Sequence, residues 1–375
     1  MKIRDFGVEM WMNAYENDCT HNLAETCVRS LTVEELLDLS GKREETLEQL
    51  VQTRLTYGDI PGSLRLRQAI AGLYRIMSPE RVTITNGAIG ANALTMLTLV
   101  EPGDRVISVL PTYQQHYSIP ESIGAQVDIL QLREENGWLP DLDELRGLVK
   151  KAGGKVRLIN INNPNNPTGS VMEEPMLREI ACIAREAGAW LLCDEVYRGL
   201  CHQGDPYTAS VADLYEKGIS TGSMSKVYSL AGLRLGWIAG PRELTERLER
   251  QRDYHIISVG RLDDLLASVA LESREAISTR NLAICREGGR LLAEFVAGEP
   301  HISYVKPKGG TTAFLRYDLP MESAELCRRL QEETGVMLLP GSALDMEGYL
   351  RIGYCNDPGI TEAGLARFGE WLRQF

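Results

Sequence analysis

Short, almost entirely apolar runs alternate with stretches of helical periodicity through the middle of the chain. The apolar runs are residues 81–85, 105–110, 156–161, 190–194 and 236–240, and the helical stretches between them include 88–99, 174–187 and 242–252. Strands that are apolar on both faces and separated by helices are typical of a parallel sheet covered on both sides. The pattern therefore predicts an α/β domain, with ligand-binding residues beyond the carboxyl ends of its strands.

The last hundred residues follow a different pattern. A long helical segment at about 262–297 is followed by strands at 302–305 and 312–317, a helix at 322–334, strands at 336–339 and 349–353, and a closing helix. This order predicts a smaller α+β domain. The first 45 residues contain an amphipathic helix at 32–39 that begins with the capping pattern T-V-E-E. We expect a large domain from 46–274, and a small domain formed by 275–375 together with an N-terminal arm, 1–45.

The composition excludes several classes of protein. The formal net charge of −12 argues against non-specific binding to nucleic acid or to an anionic membrane. No apolar run approaches the ~18 residues of a membrane span, and the first residues lack the apolar core of a signal peptide. Eight cysteines without a C-x-x-C pair favour free thiols, and five histidines without metal-ligand spacing disfavour a metal site. We therefore expect a cytoplasmic protein without a metal.

The chemistry is most specific at S-M-S-K, Ser223 to Lys226, which is followed by Arg234 in G-L-R-L-G-W. A lysine that forms a Schiff base must be partly neutral, and it therefore needs a desolvated or cationic setting. The hydroxyls of Ser223 and Ser225, together with Arg234, suit a phosphate dianion nearby. Taken alone, the string is more typical of a polar loop.

A second motif, D-E-V-Y, follows the apolar run at 190–193. Asp194 would be costly to leave ionised there without a cationic partner, and a pyridinium N–H is such a partner. Tyr197, three residues later, would reach the phenolic oxygen of the same ring. The alternatives are an aspartate that caps a turn and a tyrosine that packs in the core.

Three further loops follow apolar runs. N-N-P-N-N-P-T-G, 162–169, is a rigid turn that presents the amide of Asn166. T-N-G-A-I-G-A, 85–91, consists of small residues at a predicted helix start, where backbone amides approach a phosphate. P-T-Y, 111–113, places Tyr113 where it would stack on a flat ring. The alternative for 162–169 is a simple turn, and a glycine loop such as 85–91 is a weak signal on its own.

In this order and spacing the five motifs resemble the class I and II aminotransferases, which belong to the fold-type I enzymes that use pyridoxal 5′-phosphate (PLP). The resemblance extends from about Tyr57 to the C-terminus. It implies a three-layer αβα large domain with a mostly parallel sheet, and a smaller α+β domain. It also implies a PLP-dependent aminotransferase that moves an amino group from an L-amino acid to a 2-oxo acid, in a homodimer with shared active sites.

The resemblance also implies a role for each matching residue. Lys226 would carry PLP as a Schiff base and then move the α-proton, while Asp194 would pair with the ring nitrogen. Tyr197 and Asn166 would contact the phenolic oxygen, and Tyr113 would stack on the ring. The phosphate would be held by Gly87, Ala88, Ile89, Ser223, Ser225 and Arg234. Arg351, in Y-L-R-I-G, would bind the substrate carboxylate beside Asn166, and Tyr57, in Y-G-D-I-P-G, would reach the neighbouring subunit's phosphate.

Two features point to a narrower branch. P-T-Y-Q-Q-H-Y-S, 111–118, is similar to capreomycidine-synthase-like enzymes, which act on arginine derivatives, and PLP-dependent arginine oxidases lie nearby. The N-terminal arm is rich in acids, and Glu25 is a candidate partner for a guanidinium; a solvated acidic face is the alternative. His21 and His116 either tune a proton step or fill a polar loop. Arginine oxidation or cyclisation and C–S bond cleavage therefore stay open beside transamination, whereas the negative charge disfavours a DNA-binding regulator.

Overall fold

The computed structural model describes residues 2–375, and its strands form three sheets. The strands are β1 (His21–Asn22), β2 (Val82–Thr85), β3 (Arg105–Leu110), β4 (Gln126–Gln131), β5 (Leu158–Asn162), β6 (Trp190–Asp194), β7 (Gly218–Ser223), β8 (Gly236–Ala239), β9 (Ile302–Tyr304), β10 (Thr312–Tyr317), β11 (Val336–Met337), β12 (Leu339–Pro340) and β13 (Tyr349–Gly353). The helices are α1 (Gly7–Tyr15), α2 (Val33–Ser40), α3 (Arg43–Gln52), α4 (Leu64–Ala71), α5 (Gly87–Leu99), α6 (Gln115–Ile123), α7 (Leu142–Lys151), α8 (Glu174–Glu186), α9 (Val211–Leu214), α10 (Arg242–Arg252), α11 (Arg261–Glu272), α12 (Arg274–Gly298), α13 (Ser323–Thr334) and α14 (Pro358–Leu372).

The central sheet has seven strands in the order β2-β8-β7-β6-β5-β3-β4. From β7 to β4 all neighbours are parallel, whereas β8 runs antiparallel to both β2 and β7. The predicted α/β class with a mostly parallel sheet is confirmed. The register aligns Asn162 with Asp194, so the carboxyl ends of β5 and β6 present their polar residues at the same edge.

Both faces of this sheet are covered, because successive strand residues enter different apolar clusters. Leu158 and Leu192 pack with α5 and α10 on one side, while Ile159 and Leu191 pack with α7 and α8 on the other. Side chains of a strand point alternately to its two faces, so near-continuous apolar strands are stable only between two layers of helices. The result is the predicted three-layer αβα arrangement.

The C-terminal part forms a separate four-stranded antiparallel sheet in the order β12-β13-β10-β9. Strand β1 pairs in parallel with β11, which attaches the N-terminal segment to this region. The expected boundaries at residues 46 and 274 stay a proposal. The helical segment expected at 262–297 is two helices, since α11 closes at Glu272 and α12 starts at Arg274. Ser273 lies between them with φ −107° and ψ 20°.

The capping pattern at the start of α2 forms the predicted reciprocal contacts. The Thr32 side chain accepts a hydrogen bond from the Glu35 amide, and the Glu35 side chain accepts one from the Thr32 amide. Two amides that lack a partner within the helix are thereby satisfied.

All eight cysteines are free, and most are buried. Cys182, on α8, is exposed, and Cys19 is partly buried. Among residues 2–375, no helix combines the length and the apolar character needed to cross a bilayer.

Candidate active site

A cavity of about 410 Å³ lies at the carboxyl edge of the central sheet. It is lined by most of the residues that the sequence singled out, namely Glu25, Ala88, Ile89, Tyr113, Asn166, Asp194, Tyr197, Ser223, Ser225, Lys226, Arg234 and Arg351. A larger cavity of about 940 Å³ around His202 and Arg286 contains none of them. Because convergent charged and polar groups define a catalytic site better than size alone, we assign the site to the smaller cavity.

Lys226 follows β7, and its side chain ends against the N-terminal segment. Its Nζ atom donates to Thr26 Oγ1 at 2.6 Å and to Cys27 Sγ at 3.2 Å, and it lies 3.9 Å from Glu25 Oε1. Burial lowers the pKa of Lys226, but Cys27, Tyr197 and Glu25 together raise it above its ordinary value. The amine is therefore held as an ammonium among these partners.

Asp194 ends β6 and is only 4% exposed. Its Oδ2 atom accepts from Asn92 Nδ2 at 2.7 Å, its Oδ1 atom accepts from the Val196 amide at 3.0 Å, and His116 Nε2 lies 3.4 Å from Oδ2. Within residues 2–375, no lysine or arginine lies within 4 Å of this carboxylate. A buried carboxylate held by neutral donors is suited to a cationic N–H group in the cavity.

A cluster of anion-binding groups lies where α5 begins. Gly87 adopts a left-handed conformation with φ +66°, and a Cβ atom there would lie 3.0 Å from Arg234 Nη2. Glycine thus allows the guanidinium to approach the start of α5, whose first amides have no acceptor within the helix. The Ser223 and Ser225 hydroxyls lie in the same wall of the cavity. This donor set fits a phosphate dianion.

Arg351, in β13, is 3% exposed and also lines the cavity. Its Nη2 atom donates to the Ala24 carbonyl at 3.0 Å, its Nη1 atom lies 3.4 Å from Asn166 Oδ1, and its Nε atom has no partner among residues 2–375. Burial lowers the pKa of Arg351, yet a guanidinium stays charged at any physiological pH. Its unused donor suits a carboxylate.

The N-terminal arm closes the cavity with acids. Glu9 and Met12 from α1 line it together with Glu16 and Glu25. Glu9 Oε1 accepts from the Tyr113 hydroxyl at 2.7 Å. Burial, and then Glu25 and Glu9, raise the pKa of Glu16, whereas burial of Glu25 is outweighed by Lys226 and by two backbone amides, so its pKa is lowered.

Sequence reasoning missed Thr26, Cys27 and Asn92. The first two have no local signal, because they contact Lys226 across about 200 residues of chain. Asn92 had one, since a polar side chain within the apolar helical stretch 88–99 is unusual unless it has a partner. Glu9 and Glu16 belong to the acid-rich N-terminal arm, but the sequence did not indicate that they would line the cavity.

Two predicted residues do not line the cavity. Gly87 lies behind Ala88, where it makes room for Arg234. Tyr57 is 69% exposed and does not reach the cavity of its own chain. His21 and His116 do not line it either, although His116 Nε2 lies 3.4 Å from Asp194 Oδ2.

Comparison with known proteins places this geometry in a family. Residues 16–368 match the family described as aminotransferase class I and II. The chain belongs to this family. A PLP-dependent aminotransferase from Streptococcus suis 89-1591 superimposes with a TM-score of 0.96 at 42% identity, over 100% of this chain and 99% of that one. The predicted family, the fold-type I architecture and the PLP cofactor are thereby confirmed.

Two similar proteins are not named as aminotransferases. Capreomycidine synthase from Streptomyces vinaceus is 34% identical over 371 residues, which cover 97% of this chain and 93% of the relative. The PLP-dependent cyclase OrfR has a TM-score of 0.91 at 25% identity and covers 100% of this chain and 98% of its own. Membership of the family therefore fixes the cofactor but not the reaction.

Proposed function

We propose that this enzyme is an aminotransferase that moves an amino group from an L-amino acid to a 2-oxo acid. One observation carries the proposal: Lys226, Asp194 and Arg351 line one cavity at the carboxyl edge of the sheet. These three supply an amine, a partner for a ring nitrogen and a carboxylate-binding guanidinium. An L-amino acid and a 2-oxo acid both carry the carboxylate that Arg351 would bind.

The described residues fit PLP, and each has a definite task. Asp194 would pair with the ring nitrogen, Tyr113 would stack on the ring, and Asn166 and Tyr197 would hold the phenolic oxygen. The phosphate would be held by the amides of Gly87, Ala88 and Ile89 and by Ser223, Ser225 and Arg234. Bound PLP supplies an electron sink that stabilises negative charge at the substrate Cα.

Lys226 would do the proton chemistry. Its amine, once released by the incoming substrate, takes the proton from the substrate Cα as a general base. The amine must be neutral to accept this proton. The acceptors around it raise its pKa and favour the ammonium, so the positive charge of neighbouring groups has to offset their effect. Arg351 fixes the substrate carboxylate and so keeps the Cα–H bond within reach of Lys226.

A second candidate is an arginine-processing oxidase or cyclase. The observation in its favour is that three acids, Glu9, Glu16 and Glu25, line the cavity. Transamination does not require three acidic side chains beside the substrate. Carboxylates there would bind a guanidinium or an ammonium, and Glu25 is our candidate substrate-binding residue among them. The similarity to capreomycidine synthase supports this candidate but does not favour it over transamination.

We also propose that the enzyme works as a homodimer with shared sites. Val51, Leu55 and Tyr57 are 86%, 84% and 69% exposed, which is costly for apolar residues that lie close together in sequence. A second copy would cover them, and it would bring Tyr57 to the phosphate of its neighbour.

An assay with single amino acids separates the candidates. The holoenzyme is incubated with each amino acid, with and without 2-oxoglutarate or pyruvate, and new amino acid, oxygen uptake and ammonia are measured. Transamination predicts turnover that requires the oxo acid and consumes no oxygen. Turnover of arginine without an oxo acid would overturn it in favour of the second candidate. K226A is the inactive control, and its circular dichroism spectrum should match that of the wild type.

A further inference from the structure

The segment Ala24–Cys27 crosses the end of the Lys226 side chain. Thr26 Oγ1 lies 2.6 Å from Nζ, which is a short hydrogen bond, and Cys27 Sγ lies 3.2 Å from it. The segment comes from the N-terminal arm, whereas Lys226 follows β7. The fold therefore brings a hydroxyl to the reactive amine from a distant part of the sequence.

Contacts that do not involve Lys226 hold this segment in place. Glu25 Oε1 accepts from the amides of Thr26 and Cys27 at 2.6 and 2.7 Å. The Thr26 carbonyl accepts from Thr311 Oγ1 at 2.7 Å, and the Ala24 carbonyl accepts from Arg351 Nη2 at 3.0 Å. The position of the Thr26 hydroxyl is thus set by the backbone and not by the lysine.

Of the three neighbours of the amine, Thr26 is the effective partner. Burial raises the pKa of Cys27, so its sulfur stays a thiol, which accepts hydrogen bonds weakly. Glu25 Oε1 lies 3.9 Å from Nζ, which is beyond hydrogen-bond range, and it already accepts hydrogen bonds from two backbone amides. A hydroxyl, by contrast, accepts from an ammonium and donates to a neutral amine. It can serve Lys226 before and after the amine takes up a proton.

We propose that Thr26 is a positioning residue that holds the released amine of Lys226 at the substrate Cα during proton transfer. The proposal rests on the proposed function only in that Lys226 carries PLP and moves the α-proton. It applies equally to transamination and to arginine chemistry, because both begin with the removal of that proton.

The test compares T26V, which loses the hydroxyl at nearly constant shape, with T26S, which keeps it, and with T279V, the same substitution at an exposed threonine of α12, as the matched control. The first readout needs no turnover: PLP is added to each apoenzyme at a series of pH values, and the rate at which visible absorbance appears is recorded. Loss of an acceptor destabilises the ammonium, so the pH midpoint of this reaction should fall in T26V and stay unchanged in T26S and T279V.

The second readout is the rate of α-proton removal by the holoenzyme, measured by rapid mixing with protiated and α-deuterated amino acid. T26V should slow this step by about tenfold or more and alter KM far less, while T26S and T279V stay within about threefold of the wild type. Equal behaviour of T26V and T279V in both readouts would overturn the proposal, as would a T26S enzyme as slow as T26V. Failure of the proposed function is distinguishable, since the wild type itself would then show no reaction with PLP or amino acid.

Discussion

Asn92 donates its side-chain amide to Asp194 within the buried core, with Nδ2 at 2.7 Å from Oδ2. The Asn92 oxygen in turn accepts from Thr221 Oγ1 at 2.7 Å. A chain of hydrogen bonds thus runs from β7 through α5 to the end of β6. It fixes the rotamer of the carboxylate that we assign to the ring nitrogen of PLP.

Replacing Asn92 with leucine should weaken PLP binding. The buried carboxylate loses one donor without loss of volume, and an unsatisfied buried group of this kind costs about 1–3 kcal/mol, which corresponds to a loss of about fivefold to a hundredfold in affinity. Titration of the apoenzyme with PLP, followed by visible absorbance, measures the change. Thr221→Val is the control, because Asp194 keeps its donor and only Asn92 loses a partner. N92L that binds PLP as tightly as the wild type would contradict the assignment.

The bond between Tyr113 and Glu9 should hold α1 over the cavity. Tyr113→Phe keeps the ring that contacts Phe6, with centroids 4.7 Å apart, but removes the hydroxyl that donates to Glu9. We expect hydrogen exchange at residues 7–15 to accelerate by about threefold to tenfold, because Glu9 is partly exposed and one lost hydrogen bond of this kind costs about 0.5–1.5 kcal/mol. Tyr254→Phe, at a side chain that is 92% exposed, should leave this exchange unchanged. Equal exchange in both variants would show that other contacts hold the helix.

The parts of the fold that the sequence predicted are those with a local periodic signal. The runs that became β3 and β6 are apolar because they are covered on both faces, and this alone predicted the parallel sheet. Strand β7 was missed, since G-I-S-T-G-S looks polar. Its hydroxyls are satisfied inside the protein, where Ser220 Oγ donates to Glu195 at 2.7 Å and Thr221 donates to Asn92. Periodicity cannot detect a strand whose polar groups find buried partners.

The residues of the site also divide into those that the sequence could predict and those that it could not. Lys226, Asp194 and Arg351 belong to ordered motifs that end strands or follow them, so their meeting at one edge of the sheet could be predicted. Thr26 and Glu9 reach the cavity only through long-range packing of the N-terminal arm, and no local pattern encodes that packing. Tyr57 is conspicuous in sequence yet exposed in the single chain.

Acidic pH should weaken the contact between α4 and α11. Glu272 accepts from Arg65 Nε at 2.6 Å and from Lys42 Nζ at 2.6 Å, and these cations lower its pKa to about 2. A carboxyl with a lowered folded-state pKa adds stability that is complete above its unfolded pKa, near 4.5, and is lost as the pH falls towards 2. Glu272→Gln should therefore be less stable at pH 7 by about 1 kcal/mol, because the partly exposed cations are screened by solvent.

Urea denaturation at several pH values measures this difference. The gap between the wild type and E272Q should be constant from pH 7 to about 5.5 and should narrow below about 4.5. Glu246→Gln removes an exposed helical pair with Arg242 and serves as the control, with an expected loss below about 0.5 kcal/mol. A gap between the wild type and E272Q that does not change with pH would show that packing, and not charge, is responsible.

Hybrid dimers should reveal whether Tyr57 acts in the neighbouring site. K226A lacks the reactive amine, and Y57A lacks the exposed tyrosine, so each homodimer should be impaired. In a hybrid, the Y57A subunit keeps its own Lys226 and receives Tyr57 from the K226A subunit, and this one site is therefore complete. If the variants assort randomly in equal amounts, half of the dimers are hybrids, and about a quarter of the wild-type activity should return.

If Tyr57 acted in its own chain or only in folding, no hybrid site would be complete, and the mixture would show only the mean of the two parental activities. Hybrids purified through two different affinity tags contain one subunit of each variant, so random assortment does not affect the comparison. PLP titration of the same hybrids should show one tight site per dimer.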